Sequence, residues 1–522
     1  MTDELKIKIG QMFSFGIPVE GMQGEFLELC EKYKLGSFWI GAHNIVTPEQ
    51  ICRDVSEIRK ITYDIAGSYP ILGIDQEGGW VTRLYDGAAT ISGTMSYAAS
   101  GISAEELREV GRRQGRILRA IGMNVNSAPD LDVNIDPNNP IICSRSYGDD
   151  PEKVAEYGVA MAEGMESEGV MACVKHFPGH GNVSSDTHLA AAVNTCDKET
   201  LEKTEFIPFR RAFDNKVGAL MTAHVIYDKI SPLPATISPE IMTTLLRDEM
   251  GFEGIAITDS INMKAILGPY PNGEGAVRAI LAGCDIVLVY PYRGAYQMEA
   301  VDAVYAAVES GRISRERIEQ SYERIMRMKE KYDIANAEPN TALAKSLIFN
   351  EEDIRKNFED KLRAITCLKD NGVLSTLGER KILCVAPTCD AVRGVEEARR
   401  DILSFADRFA GEFKSAEAFV CPMSAEMTPE LLSKINGECD TVVVGLFNTD
   451  VFPAQLEIIK AAESAGKETV AVLLKSPYTF RSLSNCDAVI ASYEYTPLSV
   501  SATIEAMKRN DYRGTLPVKL YK

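Results

Sequence analysis

Eight short runs of apolar, β-prone residues recur along the first part of this chain, with helical stretches between most of them. The runs are Gly10–Gly16, Gly36–Ala42, Pro70–Asp75, Met123–Ala128, Val170–His176, Ala219–Val225, Gly254–Asp259 and Cys284–Tyr290. They are nearly continuous in apolar residues, where a strand with one wet face would alternate. Strands buried on both faces belong to parallel sheets, which need crossover helices. Amphipathic stretches at Ala104–Ile121, Pro151–Glu168, Glu240–Met250 and Gly275–Ala282 supply them. Eight such repeats over about 300 residues predict a (β/α)8 TIM-type barrel. A doubly wound sheet is the alternative; the number of strands favours the barrel.

Asp75, Lys175, His176, His224 and Asp259 all stand at the C-terminal ends of predicted strands. Barrel enzymes build their sites on that face. The chain of 522 residues is too long for the barrel alone. After the helical stretch that ends near Ile334, the sequence ANAEPNTALAKSL reads as a linker, and a helix is predicted near Glu351–Leu368. Apolar runs at Lys381–Pro387, Thr441–Phe447, Glu468–Ser476 and Ala488–Tyr493 then predict a C-terminal α/β/α sandwich. The expected division is 1–335 for the barrel, 336–365 for linker and helix, and 366–522 for the sandwich.

A net charge of −19 argues against a nucleic-acid or anionic-membrane partner. No apolar run is long enough to cross a bilayer. The N-terminus, MTDELKIKIGQMF, is charged and helical, unlike a secretory leader. Twelve scattered cysteines lack a disulfide-like spacing. Together these features predict a cytoplasmic protein. They set no oligomeric state.

Three of the five histidines, His176, His180 and His188, lie in KHFPGHGNVSSDTH, residues 175–188. Its glycines and proline make a shaped loop rather than a helix. Histidine titrates near neutral pH and suits proton transfer. Asp186, two residues before His188, can hold that imidazole as half of a proton-transfer device. The same three histidines could bind a metal. No Cys or Glu lies in the segment to complete a ligand set, so neither metal nor cofactor is expected. Asp259 ends GIAITD, before SINMKAI, which reads as a helix start; the residues alone leave it an N-cap or a site carboxylate.

Several motifs, in order, resemble glycoside hydrolase family 3 in its bacterial β-N-acetylglucosaminidase branch. The branch's K-H-F-P-G-H-G-x-T-x-x-D-S-H loop is matched from Lys175 to Gly181, then at Asp186 and His188; Val183 and Thr187 depart from it. Similar segments run Asp75 to Arg83, Ala128 to Val133, Arg145 to Gly148, Met221 to His224, and Thr258 to Met263. Trp80 stands where the family has arginine; it either stacks at the rim of the site or fills space. The closing RGTLPVKLY resembles the two-domain members.

This resemblance implies that Asp259 is the nucleophile, His188 the acid/base, and Asp186 its orienting partner. Asp75, Arg83, Arg145, Lys175, His176, His224 and Met263 would hold the sugar. The implied reaction is retaining exo-hydrolysis of terminal N-acetylglucosamine from cell-wall fragments or chitin-like oligosaccharides, with a small carbohydrate as substrate. Phosphorolysis on the same scaffold is one rival, because a neutral histidine repels phosphate less than a carboxylate does. A sugar-binding protein without catalysis is another; Asp259, Asp186 and His188 argue against it.

Overall fold

The computed structural model describes residues 1–84, 88–184, 192–271, 273–389 and 404–520. Each of the eight apolar runs delivers one strand. These are β1 (Phe13–Gly16), β2 (Ser37–Ile40), β3 (Ile71–Ile74), β4 (Val125–Asn126), β5 (Met171–Phe177), β6 (Ala219–Thr222), β7 (Ile255–Ile257) and β8 (Val287–Val289). All pair in parallel, in the order β8-β1-β2-β3-β4-β5-β6-β7. A bridge between Ile257 and Ile286 closes the ring. Two hydrogen bonds support it: Thr258 N–H donates to Ile286 O at 2.9 Å, and Leu288 N–H to Thr258 Oγ1 at 2.9 Å.

Most of the strands are shorter than their runs, and at the first run a helix claims the margin. In the first run, Thr2 accepts from Leu5 N–H and caps a helix over Asp3–Gln11, so the strand begins only at Phe13. Asp3 and Glu4 in the first turn favour that start, because carboxylates offset the positive helix N-terminus. The crossover helix Ala104–Ala120 opens with a capping box between Ser103 and Glu106. Pro151–Glu166 opens on the Asp150 cap, with proline in the first turn where no N–H is needed. The expected helix at Glu240–Met250 winds instead as a π-helix over Glu240–Glu249.

The C-terminal sheet contains β9 (Thr366–Asp370), β10 (Ile382–Pro387), β11 (Ala416–Cys421), β12 (Thr441–Leu446), β13 (Glu468–Leu473) and β14 (Ala488–Ala491). The order is β9-β14-β13-β12-β10-β11, parallel except for β9. Alternate residues feed two apolar layers. Ile382, Cys384 and Ala386 enter one, while Leu383 and Val385 enter the other. That two-sided burial explains the continuous apolar runs.

The two edge strands, β9 and β11, were not anticipated. Their sequences, TCLKD and AEAFVC, are half-exposed and mixed in polarity, so they carry no continuous apolar signal. β9 takes the end of the predicted helix near Glu351–Leu368, which stops at Ala364. The stretch read as a linker holds a helix, Thr341–Ile348, capped by Asn340. It buries Ala344 and Ile348 and packs on the barrel helices Pro48–Ala66 and Ala104–Ala120. Arg59 ties down the approach by donating to Ile334 O at 3.0 Å and Ala335 O at 2.9 Å.

Candidate active site

A cavity of about 520 Å³ opens at the C-terminal mouth of the barrel. Asp75, Arg83, Arg145, Lys175, His176, Asp259 and Met263 line it, with Trp39, Glu77, His180, Tyr290 and Arg293. The wall is built by strand ends. Asp75 follows β3, and Glu77 lies two residues on, in the irregular segment before the Gly78–Gly79 turn. Lys175 and His176 lie within β5.

One wall is a network of opposite charges. Glu77 receives a two-pronged contact from Arg145, Nε at 2.9 Å and Nη2 at 2.7 Å. Lys175 Nζ lies 2.6 Å from Glu77 Oε1, 3.3 Å from Asp75 Oδ1 and 3.0 Å from Ser127 Oγ. Arg83 Nη2 is 3.6 Å from Asp75 Oδ2. Trp39 Nε1–H donates to the same oxygen at 2.9 Å. The indole fits because residue 73 is glycine: a Cβ there would meet the ring at 2.3 Å. Burial alone would push both carboxyls up. Lys175 and Arg83 more than offset it at Asp75, and Arg145 and Lys175 do so at Glu77, so both sit below the usual carboxylate range.

A second layer fixes the histidines. Asp132 Oδ2 lies 2.7 Å from His176 Nδ1, and Oδ1 accepts from His180 N–H at 2.5 Å. Arg145 Nη2 faces His176 Nε2 at 3.4 Å. A guanidinium only donates, so Nε2 accepts and Nδ1 carries the proton toward Asp132. Burial, aided by the Arg145 charge, pushes His176 down to about 4. Burial pushes His180 down to about 3. Both rings are therefore neutral near pH 7. Burial raises Asp132 to about 6 and, with Asp132 alongside, raises Asp130 well above the ordinary range. Asp130, Asp132 and His176 bring possible ligand atoms within 4.8 Å of one another. Arg145, 3.6 Å from Asp130, already supplies positive charge there.

Asp259 faces this wall from two residues beyond β7. It is not a helix N-cap: SINM forms a loop, and the short helix Lys264–Leu267 is preceded by Met263. Ser260 N–H donates to Asp259 Oδ1 at 2.6 Å. Ser260 Oγ donates to Tyr290 O at 2.5 Å and accepts from Tyr290 N–H at 3.1 Å. His224 does not line the cavity. Its Nε2 lies 3.0 Å from Ser260 O and its Nδ1 2.7 Å from Thr236 Oγ1. Since a carbonyl only accepts, Nε2 carries the proton. Through Ser260, His224 holds the Asp259 loop.

Asp186 and His188 fall in 185–191, outside the described residues. The flanks are anchored: Val183 is buried, and Ala192–Asn194 pairs in parallel with Val225–Tyr227 beyond β6. Sequence reasoning assigned no role to Glu77, Trp39, Asp130 or Asp132. Their residue types could have pointed to three of them, since Glu77 is a second carboxylate beside the strand-end Asp75, and Asp130 and Asp132 are a carboxylate pair just beyond the fourth apolar run. Trp39 gave no such signal.

Residues 4–328 match the family model for the glycosyl hydrolase family 3 N-terminal domain. The chain is 28% identical over 513 residues to beta-hexosaminidase A of Pseudoalteromonas piscicida, covering 90% of this chain and 85% of that protein. It is 34% identical over 272 residues to a beta-hexosaminidase of Pseudomonas aeruginosa, covering 51% of this chain and 79% of that one. Its fold matches the structure of a glycoside hydrolase family 3 beta-N-acetylglucosaminidase from Paenibacillus with a TM-score of 0.91 and 31% identity, covering 100% and 99% of the two chains.

Proposed function

Because this chain belongs to glycoside hydrolase family 3, we propose that it is a retaining exo-β-N-acetylglucosaminidase acting on cell-wall fragments or chitin-like oligosaccharides. The observation that carries the reading is the opposition of Asp259 to the Asp75–Lys175–Glu77–Arg145 wall across one cavity at the barrel mouth. The names of its hexosaminidase relatives support the substrate class.

In this reading Lys175, Arg145 and Arg83 donate to sugar hydroxyls, and Asp75 and Glu77 accept from them. Asp259 attacks the anomeric carbon as the glycosidic bond breaks, and His188, oriented by Asp186, gives its proton to the leaving oxygen. Water then displaces Asp259 with His188 as base, so two inversions return the β-anomer. His176, neutral and fixed by Asp132, presents Nε2 beside Arg145 to the sugar. The mostly buried cysteines, scattered without disulfide-like spacing, support a cytoplasmic setting.

A panel of 4-nitrophenyl β-glycosides in phosphate-free buffer tests the proposal. The N-acetylglucosaminide should be strongly preferred, because a site built for a polar substituent leaves donors unpaired when it is missing. A glucoside with equal or higher kcat/KM, or turnover only after phosphate is added, would overturn it.

A further inference from the structure

Glu77 and Arg145 grip each other at the sugar wall, yet the segments that carry them are held from the other domain. Trp80 follows the turn after Glu77 and is buried. Its Nε1–H donates to Ser144 Oγ at 3.1 Å, next to Arg145. Its ring face is covered by Lys475 of the C-terminal domain, with Nζ 3.9 Å from the ring centre. Asn448, also of that domain, accepts from Lys475 Nζ at 2.9 Å.

A second contact lands on Gly93. Glu494, just beyond β14 and 1% exposed, accepts from Gly93 N–H through Oε2 at 2.8 Å. Its Oε1 pairs with Lys361 Nζ at 2.9 Å. The carboxylate fills the space beside two glycines: a Cβ at Gly79 would lie 2.3 Å from Oε2, and one at Gly93 would lie 3.0 Å away. Thr94, the next residue, donates through Oγ1 to Arg145 O and lies 3.4 Å from Ser144 O. Both contacts therefore reach the Cys143–Arg145 turn, one through Trp80 and one through Gly93 and Thr94. Neither Lys475 nor Glu494 lines the cavity.

We propose that Lys475 and Glu494 are positioning residues through which the C-terminal domain holds the Glu77–Arg145 pair in register for the sugar. This rests on the N-acetylglucosaminidase reading above. A buried cation on an aromatic face and a charge-assisted bond to backbone N–H are both strong where water is excluded. A wall displaced by about 1 Å can cost up to about 100-fold in rate.

The test compares K475M, E494A and E494Q with R363A, which removes the Arg363–Glu106 pair at 3.3 Å on the same interface but away from the wall. KM and kcat for 4-nitrophenyl N-acetyl-β-glucosaminide, Ki for N-acetylglucosamine and thermal unfolding are measured for each. K475M and E494A should lose about tenfold or more in kcat/KM, chiefly through KM, with Ki rising in parallel. E494Q keeps an acceptor for Gly93 and should recover part of the loss, while R363A leaves KM unchanged. If E494A does not fold, K475M and E494Q carry the comparison. KM and Ki within twofold of an active wild type in K475M and E494Q would overturn the positioning role, as would an equal rise in R363A. A wild type without turnover on the glycoside panel would sink the functional reading, and this inference with it.

Discussion

Asp259 and His188 carry opposite halves of the proposed chemistry, and their loss should read differently. D259A should lower kcat by about a thousandfold or more while thermal unfolding stays near wild type, because a partly exposed carboxylate does little for the core. Near-normal turnover would remove Asp259 from the mechanism. H188A should hurt poor leaving groups most, since an activated aryl oxygen departs with little proton assistance; D186A should give a milder version. A plot of log kcat/KM against leaving-group pKa checks this, and equal losses across the series would contradict the acid/base role. At this scale the sequence is informative about residue types but silent about pairings. Asp75 and Lys175 were legible as strand-end residues. That Glu77 is their shared partner was not, because Arg145 reaches it from 68 positions away. His224 shows the same limit: strand position brings it near the mouth, but only the fold shows that Thr236 and Ser260 engage its two ring nitrogens.

The end of β5 and the turn beyond it place two neutral histidines in the interior, and this element should make stability depend on pH. Burial lowers His176 to about 4 and His180 to about 3, from an ordinary value of 6.5. A histidine depressed by folding gives stability that is complete above the unfolded value and lost as pH falls toward the folded one. The window therefore runs from about pH 6.5 down to between 4 and 3. Asp132, raised to about 6 by burial, acts in the opposite direction between its ordinary 3.8 and 6, and offsets part of the slope. Thermal unfolding of wild type and H180Q across pH 4 to 7 should show the variant losing less on acidification, by on the order of a few kcal/mol. Parallel profiles would mean that His180 is not buried in its neutral form. Elements themselves were well read wherever both faces are buried. The edge strands β9 and β11 escaped because most residues of each are half-exposed or exposed, which removes the continuous apolar run.

For the molecule as a whole, Lys361 and Glu494 form an ion pair that is 0% and 1% exposed between the connecting helix and the C-terminal sheet. Removing the cation leaves a buried carboxylate without its charge partner, which typically costs about 3–5 kcal/mol. K361M should lower the unfolding midpoint in denaturant, and the double variant K361M/E494Q should recover part of the loss by neutralising the remaining charge. A K361M midpoint equal to wild type would show that the pair is not desolvated in solution. What the sequence determined by itself is the periodic part of this protein: eight buried parallel strands, the helices between them, the four inner parallel strands of the second sheet, and the strand-end position of Asp75, Lys175 and His176 at the mouth. Backbone geometry and burial impose those patterns locally, so they can be read along the chain. Tertiary structure alone decided that Asp132 holds His176 from 44 residues away, that Arg145 closes on Glu77, and that Lys475 covers Trp80. Each of those contacts joins polar groups from separate segments. Which polar groups meet depends on barrel closure and on the seating of the second domain, and no local period records either.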